Sequence, residues 1–366
     1  MSTKRKQAVE PDVSASIVCD LGSGYIKAGL VRDLNNFPRL IRPSTSSEDI
    51  EQIFESVFNV VGKPHSTSPL SPSNKVNRAP PLSSADGRGI VLTESMSSAP
   101  SLKEKEKLTQ LMFERFEFNF LNISPSAALV LAARGTTTGL VVDCGHSKTE
   151  IVPVANGFVQ KGNVRRLQIG GGSTVTRRFI DLLKRSESCN YCLDSDRDFF
   201  AINSAKDSLC FVALDLPEER HIADKTHLTS RTFRLPDKTE IFANHERFLA
   251  PEILFQPKFC GDICSDSLGI SELIIDSINS SPIDLRSSLF RSIILAGGTT
   301  LINNFPQRVA QDLLLSGPNK VYVDACPDRM FSAFRGGCVM GSLNNPDWWI
   351  SKSQYEEKGF PAVFKQ

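Results

Sequence analysis

Neither sign of charge dominates this sequence: Lys+Arg 42 stand against Asp+Glu 41, a formal net charge of +1. Without a basic excess, broad electrostatic binding to nucleic acid or acidic membranes is not expected. No apolar run approaches the ~20 residues that a membrane-crossing helix needs. Met1–Pro11 carries basic residues but no apolar stretch behind them, so no secretory signal is expected. Lys4-Arg5-Lys6 reads as a solvated terminus before it reads as a nuclear signal. Tight cysteine–histidine pairs are also missing. The 9 cysteines are an odd set, and Cys19, Cys144 and Cys210 sit within apolar runs, as buried thiols of a reducing compartment do. Cys189/Cys192 and Cys260/Cys264 have spacings that zinc accepts, but no flanking histidines support a site there.

What is present is a repeated strand–turn–strand design. Ile17–Leu30, I-V-C-D-L-G-S-G-Y-I-K-A-G-L, begins as an apolar β-branched run, places Asp20 at the strand end and turns on Gly22-Ser23-Gly24. Small residues in such a turn let backbone N–H groups and the Ser23 hydroxyl approach an anion closely. Lys27 on the returning strand supplies a point charge, and Asp20 is placed to hold a cation carried by phosphates. Alone, glycine and serine also fill ordinary hairpin turns. Gly139–Val154, G-L-V-V-D-C-G-H-S-K-T-E-I-V-P-V, repeats the plan, with one residue between Asp143 and Gly145. Two copies suggest two similar halves whose aspartates serve one metal–phosphate group, since Mg²⁺ takes only one or two carboxylates.

Along the chain, Glu48–Val61 reads as a helix with Ile50, Ile53, Phe54, Val57 and Phe58 on its apolar face. Residues 62–89 are rich in serine and proline and read as a disordered insertion. Ile90-Val91-Leu92 is a strand. Ser101 with Glu104 matches a capping box for a helix reaching about Phe116, and Pro125–Ala133 reads as a second, apolar helix. Gly170-Gly171-Gly172 opens a helix at Val175–Leu183; its N–H groups either face a nucleotide or serve close packing. Thr232–Phe248 reads as a hairpin and Leu268–Ile278 as a helix. Ser292–Ala296 runs as a buried strand into Gly297-Gly298-Thr299-Thr300 and a helix, an arrangement at which open α/β sheets admit ligands.

These residues resemble the actin family, and the likeness runs from Ile17 nearly to the C-terminus. D-L-G-S-G-Y-I-K-A-G-L is similar to the family's first phosphate hairpin, V-V-D-C-G-H-S-K-T-E-I-V-P-V to its second, and I-I-L-A-G-G-T-T to its adenosine motif. Lys107–Phe116, Leu209–Asp215, Leu254–Pro257 and Trp349–Gly359 are similar as well, in the family's order. The resemblance implies an α/β, two-lobed fold shared with sugar kinases and heat-shock chaperone ATPases. It places a disordered tail at 1–14, a first lobe at 15–134, a second at 135–325, and a return to the first at 326–366. ATP or ADP with Mg²⁺ is implied. Asp20, Gly22, Ser23, Gly24 and Lys27 match the phosphate and cation site, and Asp143 and Gly145 the opposing hairpin. Lys206 and Asp207 fall where the family has a lysine–glutamate pair near ribose and adenine. Gly297, Gly298 and Thr299 match the adenine side, and Asp20 and Asp143 the cation.

Departures from the family are equally informative. Ser126 stands where a glutamine positions the attacking water, so no catalytic residue is assigned; His146-Ser147 replace an Asp-Gly pair, Glu150 a histidine, and Met330 the lysine of a nucleotide clamp. Phosphoryl transfer depends on positioning and electrostatics, so hydrolysis is expected to be slow or absent. The family's subdomain 2 follows the equivalent of Pro43-Ser44, whereas here Glu48 already resembles the helix beyond it. A subunit lacking that pointed-end lobe joins a filament end but does not template the next subunit. The shortened lobe and V-x-D-C-G hairpin also resemble, more loosely, the pointed-end actin-related protein of dynactin.

The resemblance therefore implies a cytoplasmic, cytoskeletal, non-polymerising subunit partnered by actin or actin-related proteins and their complex subunits. It implies no direct nucleic-acid contact, no membrane span and no self-polymerised filament. The alternative is a nuclear subunit of a chromatin-remodelling complex. A true ATPase or small-molecule kinase of the same fold is disfavoured by Ser126 and His146-Ser147.

Overall fold

The computed structural model describes residues 12–33, 38–44, 49–61, 88–96, 102–186, 196–260, 267–316, 320–343 and 345–363. Contacts divide the chain into two units, Met1–Gly135 with Ala333–Gln366, and Thr136–Ser332. The first passage falls at 135/136, beside the expected 134/135. The second falls at 332/333, later than the expected 325/326, because the short turn Arg329–Phe331 stays with the second unit through Arg329.

In the first unit, β1 (Asp12–Leu21) turns into β2 (Tyr25–Leu30), followed by β3 (Leu40–Pro43) and helix α1 (Ile50–Val61). Then come β4 (Arg88–Glu94), α2 (Leu102–Gln110), β5 (Phe120–Pro125) and α3 (Ser126–Ala133). The second unit holds β6 (Gly139–Cys144), β7 (Thr149–Ala155), β8 (Phe158–Val159), β9 (Arg165–Arg166), α4 (Gly172–Arg185), α5 (Asp196–Leu209) and α6 (Leu216–Lys225). It continues through β10 (Arg231–Arg234), β11 (Glu240–Ala243), α7 (Glu246–Leu249), α8 (Ile270–Asn279), α9 (Ile283–Phe290), β12 (Ile293–Ala296), α10 (Phe305–Ser316) and β13 (Val323–Asp324). Helix α11 (Ser332–Ser342), β14 (Ile350–Ser351) and α12 (Lys352–Val363) lead back into the first.

The repeat seen in sequence is a repeat of sheet topology. The first sheet runs β14-β5-β4-β1-β2-β3 and the second β13-β12-β6-β7-β8. In each, a hairpin whose first arm carries an aspartate next to its end (β1/β2, β6/β7) has a parallel strand beside that arm (β4, β12) and a further parallel strand beyond it (β5, β13). Parallel strands covered on both faces are apolar throughout rather than alternating. Ile17, Val18, Cys19, Ile90, Val91 and Leu92 are accordingly all inaccessible to solvent, as are Leu140, Val141 and Val142.

Several expectations need correction. Strand β1 begins at Asp12, inside the stretch 1–14 assigned to a disordered tail, because it pairs with β4 from Arg88 onward. Arg88 and Gly89, assigned to the insertion 62–89, are the first residues of β4; residues 62–87 lie outside the described set, as do Ser101 and Lys4-Arg5-Lys6. Ile50 is exposed, and α1 buries Phe54, Val57, Phe58 and Val61, an i, i+3, i+4, i+7 stripe. Helix α2 ends at Gln110; the chain continues as one wide turn in which the Phe116 N–H donates to Leu111 O at 3.0 Å. That turn puts both Met112 and Phe113 in the core. Phe120–Pro125 is a strand, unmarked in the sequence up to Ser124, and Pro125, expected to open the helix, closes that strand instead. The hairpin expected through Phe248 closes at Ala243, and Glu246–Leu249 is helical. Of the candidate zinc cysteines, Cys189, Cys192 and Cys264 lie outside the described residues, among which no cluster of metal-ligating side chains occurs.

Candidate nucleotide-binding site

The first unit brings together Asp20, Gly22, Ser23, Gly24 and Lys27. Asp20, one residue before the end of β1, stands opposite Lys27 in the β1/β2 register, and Lys27 Nζ lies 2.7 Å from Asp20 Oδ2. Thr93 Oγ1 donates to Asp20 Oδ1 at 2.8 Å, so both carboxylate oxygens are engaged. The threonine, at the end of β4, gave no signal in sequence because it contributes to the site only through parallel pairing. Ser23 is exposed at the tip. One residue beyond Thr93, Glu94 is buried against Lys105 Nζ at 2.6 Å, a second ion pair among the described residues of this sheet end that sequence reasoning missed. Ser126 is the first residue of α3, directly after Pro125 closes β5.

The second unit brings together Asp143, Gly145, Gly297, Gly298 and Thr299, with Lys206 and Asp207 on α5. Three turns interlock at the tip of the β6/β7 hairpin. Gly145 O accepts from both the Gly172 N–H and Thr299 Oγ1, each at 2.9 Å, and His146 O accepts from the Ser173 N–H at 2.7 Å. The glycine run at 170–172 is thereby resolved in favour of packing: the Gly172 and Ser173 N–H groups are spent on the hairpin. A side chain at Gly172 would stand 2.4 Å from Thr299 Oγ1. Gly298 differs, since nothing lies within 4 Å of where its Cβ would be. It opens a short 3₁₀ turn, Gly298–Leu301, whose first N–H groups have no partner within the turn.

Asp143 faces Glu150 across the hairpin, where Asp20 faces a lysine in the other unit. Glu150 is buried, with Lys148 Nζ 3.8 Å away. Lys206 is buried too; its Nζ donates to Asn203 Oδ1 at 2.9 Å and pairs with exposed Asp207 at 3.0 Å. Thr176 Oγ1 also reaches Asn203 Oδ1, at 2.9 Å, tying the lysine to α4. His146 packs edge-on against Phe199, ring centroids 6.1 Å apart. Burial, then the charges of Lys206 and Arg177, hold its imidazole below the ordinary histidine range, against the opposing pull of Asp207.

A depressed histidine binds fewer protons in the folded state than in the unfolded one. Its contribution to stability is therefore lost as pH falls through the unfolded value and recovers above it. H146Q is expected to flatten the fall in melting temperature between pH 7.5 and 5.5, which melts of both proteins at the two pH values measure. An unchanged slope would show that His146 is not the group responsible.

Two sheets of one plan, each with an aspartate next to last in a strand that leads into a glycine turn, are the two halves of an actin-type fold. The chain belongs to the actin family: the family model described as Actin matches residues 46–366. It is 32% identical over 393 residues to Actin-related protein 2 of Schizosaccharomyces pombe, covering 96% of this chain and 98% of that one. Actin-related protein 2 of Saccharomyces cerevisiae is 34% identical over 299 residues (78% of this chain, 74% of its own), and that of Acanthamoeba castellanii 32% over 398 residues (97% and 99%).

Proposed function

We propose that this actin-related protein binds ATP or ADP with Mg²⁺, turns it over slowly or not at all, and joins or caps an actin-like assembly without polymerising itself. The observation that carries nucleotide binding is the second unit's interlocked turn set, which holds Gly298 open to a ligand beside Thr299. Asp143, Gly145, Lys206 and Asp207 supply the remaining charged and polar groups of that half. Asp20, Lys27 and the Gly22–Gly24 turn of the first unit are groups suited to phosphates and a cation. With both its oxygens engaged, Asp20 fits a cation that keeps its waters. The bound group supplies phosphates and a divalent charge; the chain's part is to bind and orient them.

Slow turnover is supported by Ser126. A serine hydroxyl at the first position of α3 is shorter than a glutamine amide and cannot both donate from nitrogen and accept on a separate oxygen. Loss of the pointed-end lobe is supported by the chain course: β3 ends at Pro43, α1 begins at Ile50, and the residues between are too few for an independent lobe. Helix α1 also packs back against β2 and β3. The relatives named Actin-related protein 2 support a partner of the actin family, and nothing among the described residues favours the nuclear alternative.

The test combines sedimentation and microscopy of the purified protein in MgATP and salt with mild affinity purification from whole-cell extract. No filaments, with actin or actin-related chains co-purifying, is the expected result; dynactin subunits among them would single out that assembly. Self-assembled filaments, or a purification without any actin-family chain, would overturn the proposal.

A further inference from the structure

Arg329 is buried in the second unit, three residues before the chain leaves it. Its guanidinium spends its donors on the glycine turn and on its own segment. Nε donates to Thr300 Oγ1 at 2.8 Å, Nη2 to Thr300 O at 2.7 Å, and Nη1 to Cys326 O at 2.9 Å. Among the described residues no carboxylate pairs with it, and burial holds its pKa below the usual arginine value. Asp328, its neighbour in sequence, accepts instead from Cys326 Sγ. A buried cation without a counter-charge is costly, so its bidentate grip on Thr300 calls for a role beyond filling space.

The grip is relayed. Because Thr300 Oγ1 accepts from Arg329, its own proton is directed onward, and it donates to Gly297 O at 2.7 Å. Gly297 is the left-handed residue at which the strand becomes the turn, with φ 85°. Between these two anchors lie Gly298, whose outer face is open, and Thr299, whose hydroxyl is fixed on Gly145 O. Arg329 thus holds both the backbone and the side chain of the residue that ends the open segment.

We propose that Arg329 is a positioning residue for nucleotide binding: it fixes the Gly297–Thr300 turn so that the Gly298 and Thr299 N–H groups are presented to the ligand. The assignment takes nucleotide binding by the second unit as given. Arg329 does not touch the ligand itself. Its effect is geometric, not one of charge at a distance, and R329K, which keeps the charge but loses the fork, is the deciding variant.

MgATP and MgADP binding are measured by equilibrium dialysis for the wild type, R329K and T300V. Amide exchange of the nucleotide-free proteins is followed in parallel across residues 297–301 and 139–155. R329K is expected to weaken binding about tenfold and to speed exchange at 298–301 while the hairpin keeps its protection. T300V, which removes the relaying hydroxyl at nearly constant shape, moves both readouts the same way by a smaller factor and decides the matter if R329K does not fold. Wild-type affinity in a folded R329K overturns the proposal. So does exchange that rises equally in turn and hairpin, since that marks a merely structural arginine. A wild type that binds neither nucleotide overturns the nucleotide reading of the protein and this assignment with it, an outcome distinct from wild-type binding unaffected by R329K.

Discussion

Alanine in place of Gly297 is expected to cost the protein about 2–5 kcal/mol of stability and to remove nucleotide binding, whereas alanine one residue later spares stability. Gly297 has φ 85° and ψ 149°, a region in which only glycine is at ease. An added Cβ would also lie 2.3 Å from Cys144 O and 2.6 Å from Asp143 Oδ1. Both neighbours belong to the hairpin strand β6, pinned in the middle of its sheet, so the turn has to yield. Gly298 carries neither constraint: its φ is not left-handed and a Cβ there meets no protein atom. G298A is expected to stay within about 0.5 kcal/mol of wild type. If the open face is where nucleotide lies, the same methyl still interferes with MgATP. Denaturant unfolding and equilibrium binding on the two variants separate the cases. G298A with wild-type affinity would mean that the open face is not a ligand face.

The hairpins were legible because their signal is local. An apolar run, an aspartate and a small-residue turn lie within a dozen consecutive positions, and Asp20, Gly22, Lys27, Asp143 and Gly145 could be named from that alone. The strand–glycine turn at Ile293–Thr300 was legible for the same reason. Side chains that enter by pairing across the chain were not. Thr93 reaches Asp20 because β4 lies beside β1, and nothing in T-E-S near residue 93 signals it. Arg329 reaches Thr300 from the turn D-R-M-F, where the resemblance singles out Met330 and nothing marks the arginine beside it. The glycine run 170–172 was ambiguous in principle, since phosphate cradles and close packing both require residues without a Cβ. Only the partners of its N–H groups, the carbonyls of Gly145 and His146, decide between them.

Boundaries failed where long-range pairing overrode composition. Polar Asp12 and Arg88 look like the edges of flexible segments, yet they pair with one another as β1 and β4 extend. F-L-N-I-S-P at 120–125 alternates poorly and ends in proline, so its sequence does not mark it as a strand. It is held as one by parallel pairing with β4 along its whole length and by β14 on its other side, and the proline falls at the last position, where the following helix begins.

R308M is expected to destabilise the second unit by about 3–5 kcal/mol, the cost of stranding a buried charge. Glu252 is fully buried, and Arg308 engages it with one two-pronged fork, at 3.0 and 3.1 Å. The same guanidinium donates to Ala213 O at 2.6 Å and to Asp312 Oδ1 at 2.9 Å, joining the 3₁₀ turn Pro251–Leu254 to α10 and the segment before α6. Burial pushes the Glu252 carboxyl up, and Arg308 is the largest influence pulling it back. Without Arg308 the carboxyl is driven further up and takes a proton. A carboxyl raised in the folded state stabilises below its unfolded pKa and loses that contribution as pH rises through the folded one. The R308M deficit is therefore expected to be larger at pH 8 than at pH 5, read by denaturant unfolding at both. The double change E252L/R308M, which removes the buried charge and leaves only the part-exposed Asp312 without its arginine, is expected to recover much of the loss. A deficit independent of pH and unrelieved in the double variant would mean that Arg308 matters for its packing and its bond to Ala213, not for Glu252.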